Sequence, residues 1–168
     1  SAGPFGSYQV FLDTLEHGRL TQAPVGAGDW RSDVSPDGKT LAFIRYERPG
    51  IADLYVLPIE GGEPRRLSNW NGTIDGLSWT SDGREIVYSI WEPAGSRVWR
   101  IPADGSHQPG RGSPVALTPR GAARPSVSGA GAGHGIRHAF QTVPLDADIY
   151  MMDLGAALVN GTIPARPF

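Results

Sequence analysis

Apolar and polar residues alternate over short runs along much of this chain, and turn-forming residues separate the runs. Residues 39–46, KTLAFIRY, and 84–91, REIVYSIW, are rich in the β-branched and aromatic residues that favour strands. Helical periodicity is weak, since only residues 150–159, YMMDLGAALV, have a helix-like pattern and Gly155 interrupts it. The pattern therefore predicts an all-β protein built from many short strands.

A tight turn precedes each of these two strands, with the sequence SPDG before the first and TSDG before the second. Pro36 presets φ at the first central position, Asp37 can accept hydrogen bonds from nearby amides, and Gly38 tolerates a positive φ. Asp82 and Gly83 occupy the same places in the second turn. We predict that these five residues are structural turn residues.

Three landmarks recur at intervals of about 44 to 51 residues, which is the length of a four-stranded propeller blade. The first is the turn itself, which reappears in degenerate form as SGAG at 128–131. The second is an apolar strand and the third a short closing motif. The strand occurs as QVFLDTL (9–15), DLYVLPI (53–59), RVWRIPA (97–103) and DIYMMDL (148–154), and the closing motif as RLT (19–21), RLS (66–68) and ALT (116–118).

The order of these motifs resembles the TolB-type, WD-like β-propeller repeat. Ser-Pro-Asp-Gly-Lys, an apolar strand, Asp-Leu-Tyr-Val, Gly-Gly-Glu-Pro and Arg-Leu-Ser follow one another as in that family, and the resemblance extends from about Tyr8 to Leu154. The stretch from Ile74 to Gly105 further resembles the propeller half of bacterial regulators that carry a winged-helix DNA-binding domain. The resemblance implies a propeller fold and an interaction role.

Counted this way, residues 1–168 form one propeller segment of about three and a half four-stranded antiparallel blades. The predicted divisions are a half blade at 8–22, blades at 29–68 and 74–118, and a degenerate blade at 123–168. Propellers typically close with about 4–8 blades, so the ring is expected to be incomplete and to leave unpaired strand edges. We expect the remainder of a longer chain, another chain or self-association to complete it, and we favour the longer chain.

The first strand of each blade is predicted at 31–35, 76–80 and 124–128. Val34, Trp79 and Val127 hold equivalent positions in these strands. Because side chains two residues apart share a face of a strand, we expect these three in the packing layer between blades.

Composition and charge exclude several functions. The chain has 168 residues, 39% of them hydrophobic, a net charge of −2 and no cysteine. It therefore lacks the clustered cations that nucleic acid requires, and no apolar run approaches the roughly 20 residues of a membrane helix. We expect a soluble bacterial protein, periplasmic or cytoplasmic, that neither contacts nucleic acid directly nor inserts into a membrane.

Signals for catalysis and for metal binding are weak. The sequence has no Gly-x-Ser-x-Gly nucleophile motif. His134 and His138 are four residues apart, but they lie in a glycine-rich segment with no evident third ligand. We therefore predict that the protein is not an enzyme and binds neither a metal nor a cofactor.

A candidate binding face is predicted where the loops between blades and between the second and third strands of a blade emerge together. Exposed aromatic and arginine side chains in loops are common anchors of interfaces. The alternative is that the tryptophans wedge between blades and the charges are merely solvated. The candidates are Trp30, Glu47, Arg48, Trp70, Asp75, Trp91 and Glu92.

These inferences favour a non-catalytic propeller that binds a protein or a small molecule as a scaffold within a larger bacterial protein, such as the sensor half of a transcriptional regulator. Two alternatives remain open. One is the gating propeller domain of a serine peptidase, and the other is a TolB-like accessory protein of the cell envelope.

Overall fold

The computed structural model describes residues 6–10, 17–70, 72–93, 95–106, 114–118, 121–128, 137–142, 149–153 and 166–167. Every regular element in these ranges is a β-strand. The strands are β1 (Tyr8–Val10), β2 (His17–Arg19), β3 (Gly28–Val34), β4 (Thr40–Arg48), β5 (Ile51–Pro58), β6 (Arg65–Arg66), β7 (Thr73–Trp79), β8 (Glu85–Trp91), β9 (Arg97–Pro102), β10 (Val115–Ala116), β11 (Ala122–Ser128), β12 (Arg137–Thr142), β13 (Ile149–Asp153) and β14 (Arg166–Pro167).

Consecutive strands pair antiparallel and form one two-stranded and three four-stranded sheets. The two-stranded sheet is β1–β2, and we call the others blade 1 (β3–β6), blade 2 (β7–β10) and blade 3 (β11–β14). The first strand of blade 2 contacts the first strands of both blade 1 and blade 3, so these strands share one side of the molecule. Four-stranded antiparallel sheets arranged around common inner strands are the blades of a β-propeller. The predicted fold class, a partial β-propeller, is confirmed.

An apolar layer between blades 1 and 2 is the largest cluster of buried side chains among the described residues. Each blade contributes one face, because period-two alternation directs every second side chain toward the neighbouring blade. Blade 1 supplies Ala42, Ile44, Ala52, Leu54, Val56 and Leu67, and blade 2 supplies Ile74, Trp79, Ile86, Tyr88, Ile90 and Ile101. The opposite face of blade 1 buries a smaller cluster of Leu41, Phe43 and Leu57.

Polar contacts also join the inner strands of neighbouring blades. The Asp33 carboxylate accepts a hydrogen bond from the Trp79 amide at 2.9 Å, and the Trp79 indole donates to the Asp33 carbonyl at 3.0 Å. Gly76 lies so close to blade 3 that a Cβ there would be 3.0 Å from Cα of Arg124. Only glycine permits this approach without a shift of one strand.

The structure corrects two expectations about the first strands. They begin earlier than predicted, at Gly28, Thr73 and Ala122, so that Trp30 and Asp75 lie in strands and not in loops. Val34 was expected in the layer between blades, as Trp79 is, but its side chain is 43% exposed. In the described residues, the smaller cluster of Leu41 and Phe43 does not extend far enough to cover Val34.

We predict that Leu54→Ala lowers the free energy of unfolding by about 2–5 kcal/mol, because it leaves a cavity in the layer between blades. Urea denaturation of the purified chain measures this change. Val25→Ala is the matched control, since Val25 is 83% exposed and its truncation should change stability by less than about 0.5 kcal/mol. Equal effects of the two substitutions would contradict the assigned core.

Candidate functional site

An open pocket of about 590 Å³ lies where blade 1 meets the first strand of blade 2. Its walls come from residues within 26–31 before and in β3, from residues 46 and 48–50 at the end of β4 and in the turn that follows, and from residues 74–75 of β7. This volume is within the range of small-ligand pockets. The pocket therefore depends on the packing of two blades and not on one loop.

The pocket contains two cations without a protein partner. Among the described residues, neither the Arg31 nor the Arg48 side chain makes a hydrogen bond or an ion pair. The one carboxylate in the wall, Asp75, is already engaged, since it accepts a hydrogen bond from Arg124 Nε at 2.8 Å. The uncompensated charge of the pocket is positive.

Arg31 has an unusual backbone conformation for a residue with a side chain. Its φ is 41°, in the left-handed region, and β3 has a register shift around it, between Trp30 and Ser32. Arg124 of β11 has a φ of 51° beside a similar shift. A non-glycine residue in this region costs on the order of 1–3 kcal/mol, and such strain is concentrated at functional sites.

Tyr46 links the pocket to the joint between the blades. Its hydroxyl donates a hydrogen bond to the Ile74 carbonyl at 2.8 Å. Burial raises the pKa of Tyr46, and the negative charge of Asp75 raises it further. Tyr46 is therefore a neutral donor that holds β7 against the pocket wall.

Three of the seven candidate residues, Trp30, Arg48 and Asp75, line this pocket. Trp30 presents 48% of its surface to solvent. Sequence reasoning missed Arg31, which it placed in a regular strand, and it did not name Tyr46 among the candidates although Tyr46 begins a loop of the predicted face. An arginine among the small and polar residues of GDWRSD (28–33) could have indicated a functional role for Arg31. Its positive φ cannot be recognised from the sequence.

The other four candidates lie elsewhere. Glu47 accepts a hydrogen bond from the Tyr55 hydroxyl at 3.3 Å and lies 4.0 Å from an Arg66 nitrogen. Trp70 is 40% exposed and packs against Trp99 with ring centroids 6.1 Å apart. Trp91, 57% exposed, and the half-buried Glu92 follow one another at the end of β8. The structure does not bring all seven residues into one site.

A buried carboxylate fixes the loop that carries Trp70. Asp53 is fully buried and accepts hydrogen bonds from the Ser68 hydroxyl at 2.6 Å and from the Trp70 amide at 2.7 Å. It also forms an ion pair with Arg66. Since a buried charge is tolerated only when it is well paired, this network holds the loop rigidly beside β5.

A second ion pair supports the segment that leads to the pocket. Asp29 in β3 binds Arg45 in β4 through Arg45 Nε at 2.6 Å, and both residues are buried. The Arg45 guanidinium lies over the rings of Phe43 and Tyr55 at 5.2 and 5.1 Å, and also donates to the Gln22 carbonyl at 3.4 Å. These contacts tie the residues just before and within β3 to the blade.

The turn residues lie at the opposite end of the blades. Gly38 and Gly83 have φ values of 73° and 69°, in the left-handed region expected for such turns. Asp37 accepts hydrogen bonds from the Ser35 hydroxyl at 2.6 Å and from the Lys39 amide at 3.1 Å. Pro36 lines a second depression of about 590 Å³, to which both turns contribute.

The carboxylates at this end are satisfied by their own turns. Asp82 accepts from the Thr80 hydroxyl at 2.6 Å and from the Arg84 amide at 3.0 Å, and Asp104 accepts from the Ser106 amide at 2.9 Å. They are therefore structural acceptors, and the pocket at the other end has the stronger claim to bind a ligand.

In the ranges that the structure covers, no group of three or more His, Asp or Glu side chains could hold a metal ion. His134 lies outside these ranges, as does most of the degenerate turn predicted at 128–131. The same described ranges include no helix with the length and apolar character needed to cross a bilayer.

Comparison with known proteins gives partial matches. No protein-family model matches the chain. The chain is 33% identical over 72 residues to an uncharacterized protein, Atu1656, of Agrobacterium fabrum. The matched stretch is 43% of this chain and 24% of that protein. It is 39% identical over 56 residues to the uncharacterized peptidase YuxL of Bacillus subtilis, 33% of this chain and 8% of the peptidase. It is also 36% identical over 76 residues to tricorn protease homolog 1 of Streptomyces coelicolor, 43% and 7% of the two chains.

Solved structures share the fold at low identity. TolB from Acinetobacter baumannii superposes with a TM-score of 0.74 and 20% identity over 96% of this chain and 37% of TolB. Oligogalacturonate lyase in complex with manganese superposes with a TM-score of 0.64 and 15% identity, over 97% of this chain and 47% of the lyase. A puromycin hydrolase mutant superposes with a TM-score of 0.61 and 15% identity, over 90% of this chain and 23% of the hydrolase. At these identities the likeness establishes the TolB-type propeller fold.

These comparisons correct two predictions. The prediction that the protein is not an enzyme is wrong, because curated relatives of this chain are named as peptidases and one structural neighbour is a hydrolase. The missing nucleophile motif carried little weight, because the matched stretches are only 7–24% of the relatives' lengths. The resemblance to winged-helix regulators receives no support from these relatives.

We predict that the two turn aspartates contribute to stability in a pH-dependent way. The hydrogen bond from Ser35 holds the pKa of Asp37 below its ordinary 3.8. Burial raises the pKa of Asp82, but the hydrogen bonds from Thr80 and Arg84 outweigh it, so the net direction is also downward. A lowered pKa in the folded state stabilises the fold above the ordinary pKa, and this stabilisation is lost as the pH falls through the folded value.

The test uses urea denaturation at about pH 6 and about pH 3 to compare the unmodified chain with the double variant Asp37→Asn, Asp82→Asn. The free energy of unfolding of the unmodified chain should fall more steeply between the two values, because asparagine keeps an acceptor but does not titrate. Parallel losses in both proteins would show that the turns do not supply the effect.

Proposed function

We propose that this chain is part of the β-propeller of a serine peptidase and that its pocket receives polypeptide substrate on the way to cleavage. The observation that carries the proposal is the pocket between blades 1 and 2, with an exposed tryptophan and two arginines that have no partner among the described residues. The peptidase names of the sequence relatives support this class of protein.

The pocket has the chemistry that an extended peptide requires. Trp30 offers a large apolar surface at low conformational cost, and Trp and Arg are the residues that most often dominate binding energy at interfaces. Gly26, Gly28 and Gly50 lie in the wall, so a peptide backbone can come close without meeting side chains. The second depression, with carboxylates bonded to their own turns, offers no comparable anchor.

A TolB-like role has less support. The likeness to TolB covers 96% of this chain, but at 20% identity it concerns the fold, and one propeller scaffold hosts many functions. The sequence matches at 36–39% identity are to proteins named as peptidases. An interaction with a folded partner in place of a peptide is the outcome that would favour the TolB-like role.

We predict that the chain binds an unstructured, fluorescein-labelled octapeptide of Gly, Ala and Leu with a free C-terminus, measured by fluorescence anisotropy. Trp30→Ala should weaken binding about 10-fold or more, because it removes the aromatic anchor. Trp91→Ala is the control, since Trp91 is more exposed than Trp30 (57% against 48%) and is not among the residues that line the pocket. No peptide binding, or equal losses in both variants, would contradict the proposal.

A further inference from the structure

We propose that the pocket recognises a carboxylate of the bound peptide, through a clamp formed by Arg31 and Arg48. This inference rests on the proposed peptide-binding function and goes further by naming the group that is recognised. The group is the C-terminal carboxylate or the side-chain carboxylate of an Asp or Glu in the peptide, and the two sources share the same chemistry.

The charge of the pocket supports this assignment. Arg31 and Arg48 both line it, and within the described part of the chain neither has a hydrogen-bonding or ionic partner. An arginine without a partner usually lies in open solvent, but these two approach one concave surface from different segments. Two cations facing a shared cavity favour an anionic ligand, because each guanidinium can donate two parallel hydrogen bonds to one carboxylate.

Asp75 does not cancel this preference. Its carboxylate is bound to Arg124 Nε at 2.8 Å, so its negative charge is already compensated beside Arg31 and Arg48. Tyr46 is also committed, since its hydroxyl donates to the Ile74 carbonyl. Among the described residues, the polar groups left for a ligand are therefore the two cations, and the partly exposed ring of Trp30 lies beside them.

The backbone at Arg31 gives a second, independent argument. A φ of 41° places this arginine in a conformation that glycine or asparagine adopts more readily. The neighbouring wall positions 26, 28 and 50 are glycines, so the strained position is the one that bears a long cation. This placement is explained if the side chain of Arg31 is needed at the pocket.

The occupant is a peptide and not a nucleic acid. The chain carries a net charge of −2, and phosphate-backbone binding requires many clustered cations. Beside the arginines, Trp30 and Pro49 supply exposed apolar surface that suits the side chains next to a peptide carboxylate. A simple phosphate ion remains a competitor for the same two guanidinium groups, so the test includes it.

The experiment uses four peptides that carry an uncharged BODIPY label, and measures anisotropy at constant ionic strength. Gly-Gly-Ala-Leu is prepared with a free C-terminal carboxylate and as the amide. Gly-Glu-Ala-Leu and Gly-Gln-Ala-Leu are both prepared as amides. Tighter binding of the free acid assigns the terminal carboxylate, and tighter binding of the Glu peptide assigns the side-chain carboxylate. Either result supports the proposal.

Substitutions locate the effect. Arg48→Gln should weaken binding of the preferred carboxylate peptide about 10-fold or more and leave its uncharged counterpart unchanged. Arg31→Gly should do the same while the fold stays intact, because glycine accepts the positive φ. Arg48→Lys keeps the charge but loses the planar fork, so it should restore binding only in part. Arg84→Gln, an exposed arginine at the opposite end, removes the same charge and should have no effect.

Three outcomes would overturn the inference. If all four peptides bind equally and Arg48→Gln weakens them equally, the carboxylate clamp is wrong but peptide binding at this pocket stands. If inorganic phosphate displaces the peptides as well as acetate does, the site is a general anion site and not a carboxylate site. Absence of any peptide binding would contradict both this inference and the proposed function.

Discussion

The packing of blade 1 against blade 2 is the interaction on which the rest of this structure depends. In blades 1 and 2 the central strands β4 and β8 are buried on both faces, and a four-stranded sheet alone could not keep such strands from water. Blade 1 directs Ile44 and Leu54 into the layer that receives Ile86 and Tyr88 from blade 2. Because the pocket is bounded by residues 26–50 on one side and 74–75 on the other, this apolar layer also sets the width of the candidate site.

Polar contacts at the inner strands fix the joint more closely than apolar packing could. A layer of aliphatic side chains tolerates small sliding movements, whereas hydrogen bonds do not. Asp33 binds the backbone amide of Trp79, and Tyr46 binds the backbone carbonyl of Ile74. Both contacts use backbone groups of β7, which is the edge strand of blade 2. The residues that close the edge of one blade therefore also position the wall of the pocket.

The sequence predicted the fold well because the repeat makes the same local demands in each blade. The Pro36-Asp37-Gly38 turn and the apolar strand after it could be recognised without any long-range information. The site was predicted only in part, because it depends on contacts between blades. Arg31 reaches the pocket through a bulge with a positive φ, and Tyr46 of blade 1 meets the pocket wall through its hydrogen bond to the Ile74 carbonyl of blade 2. Neither arrangement follows from a pattern of neighbouring residues.

The most direct test of the account is a titration of the ¹⁵N-labelled chain with the octapeptide, followed by NMR through the indole N–H signals of its five tryptophans. Assignment by single Trp→Phe substitutions identifies each signal. The account predicts a saturable shift of the Trp30 signal, with the signals of Trp70 and Trp91 unchanged, because only Trp30 of these three lines the pocket. Shifts at Trp70 or Trp91 with none at Trp30 would place binding elsewhere and contradict the central claim.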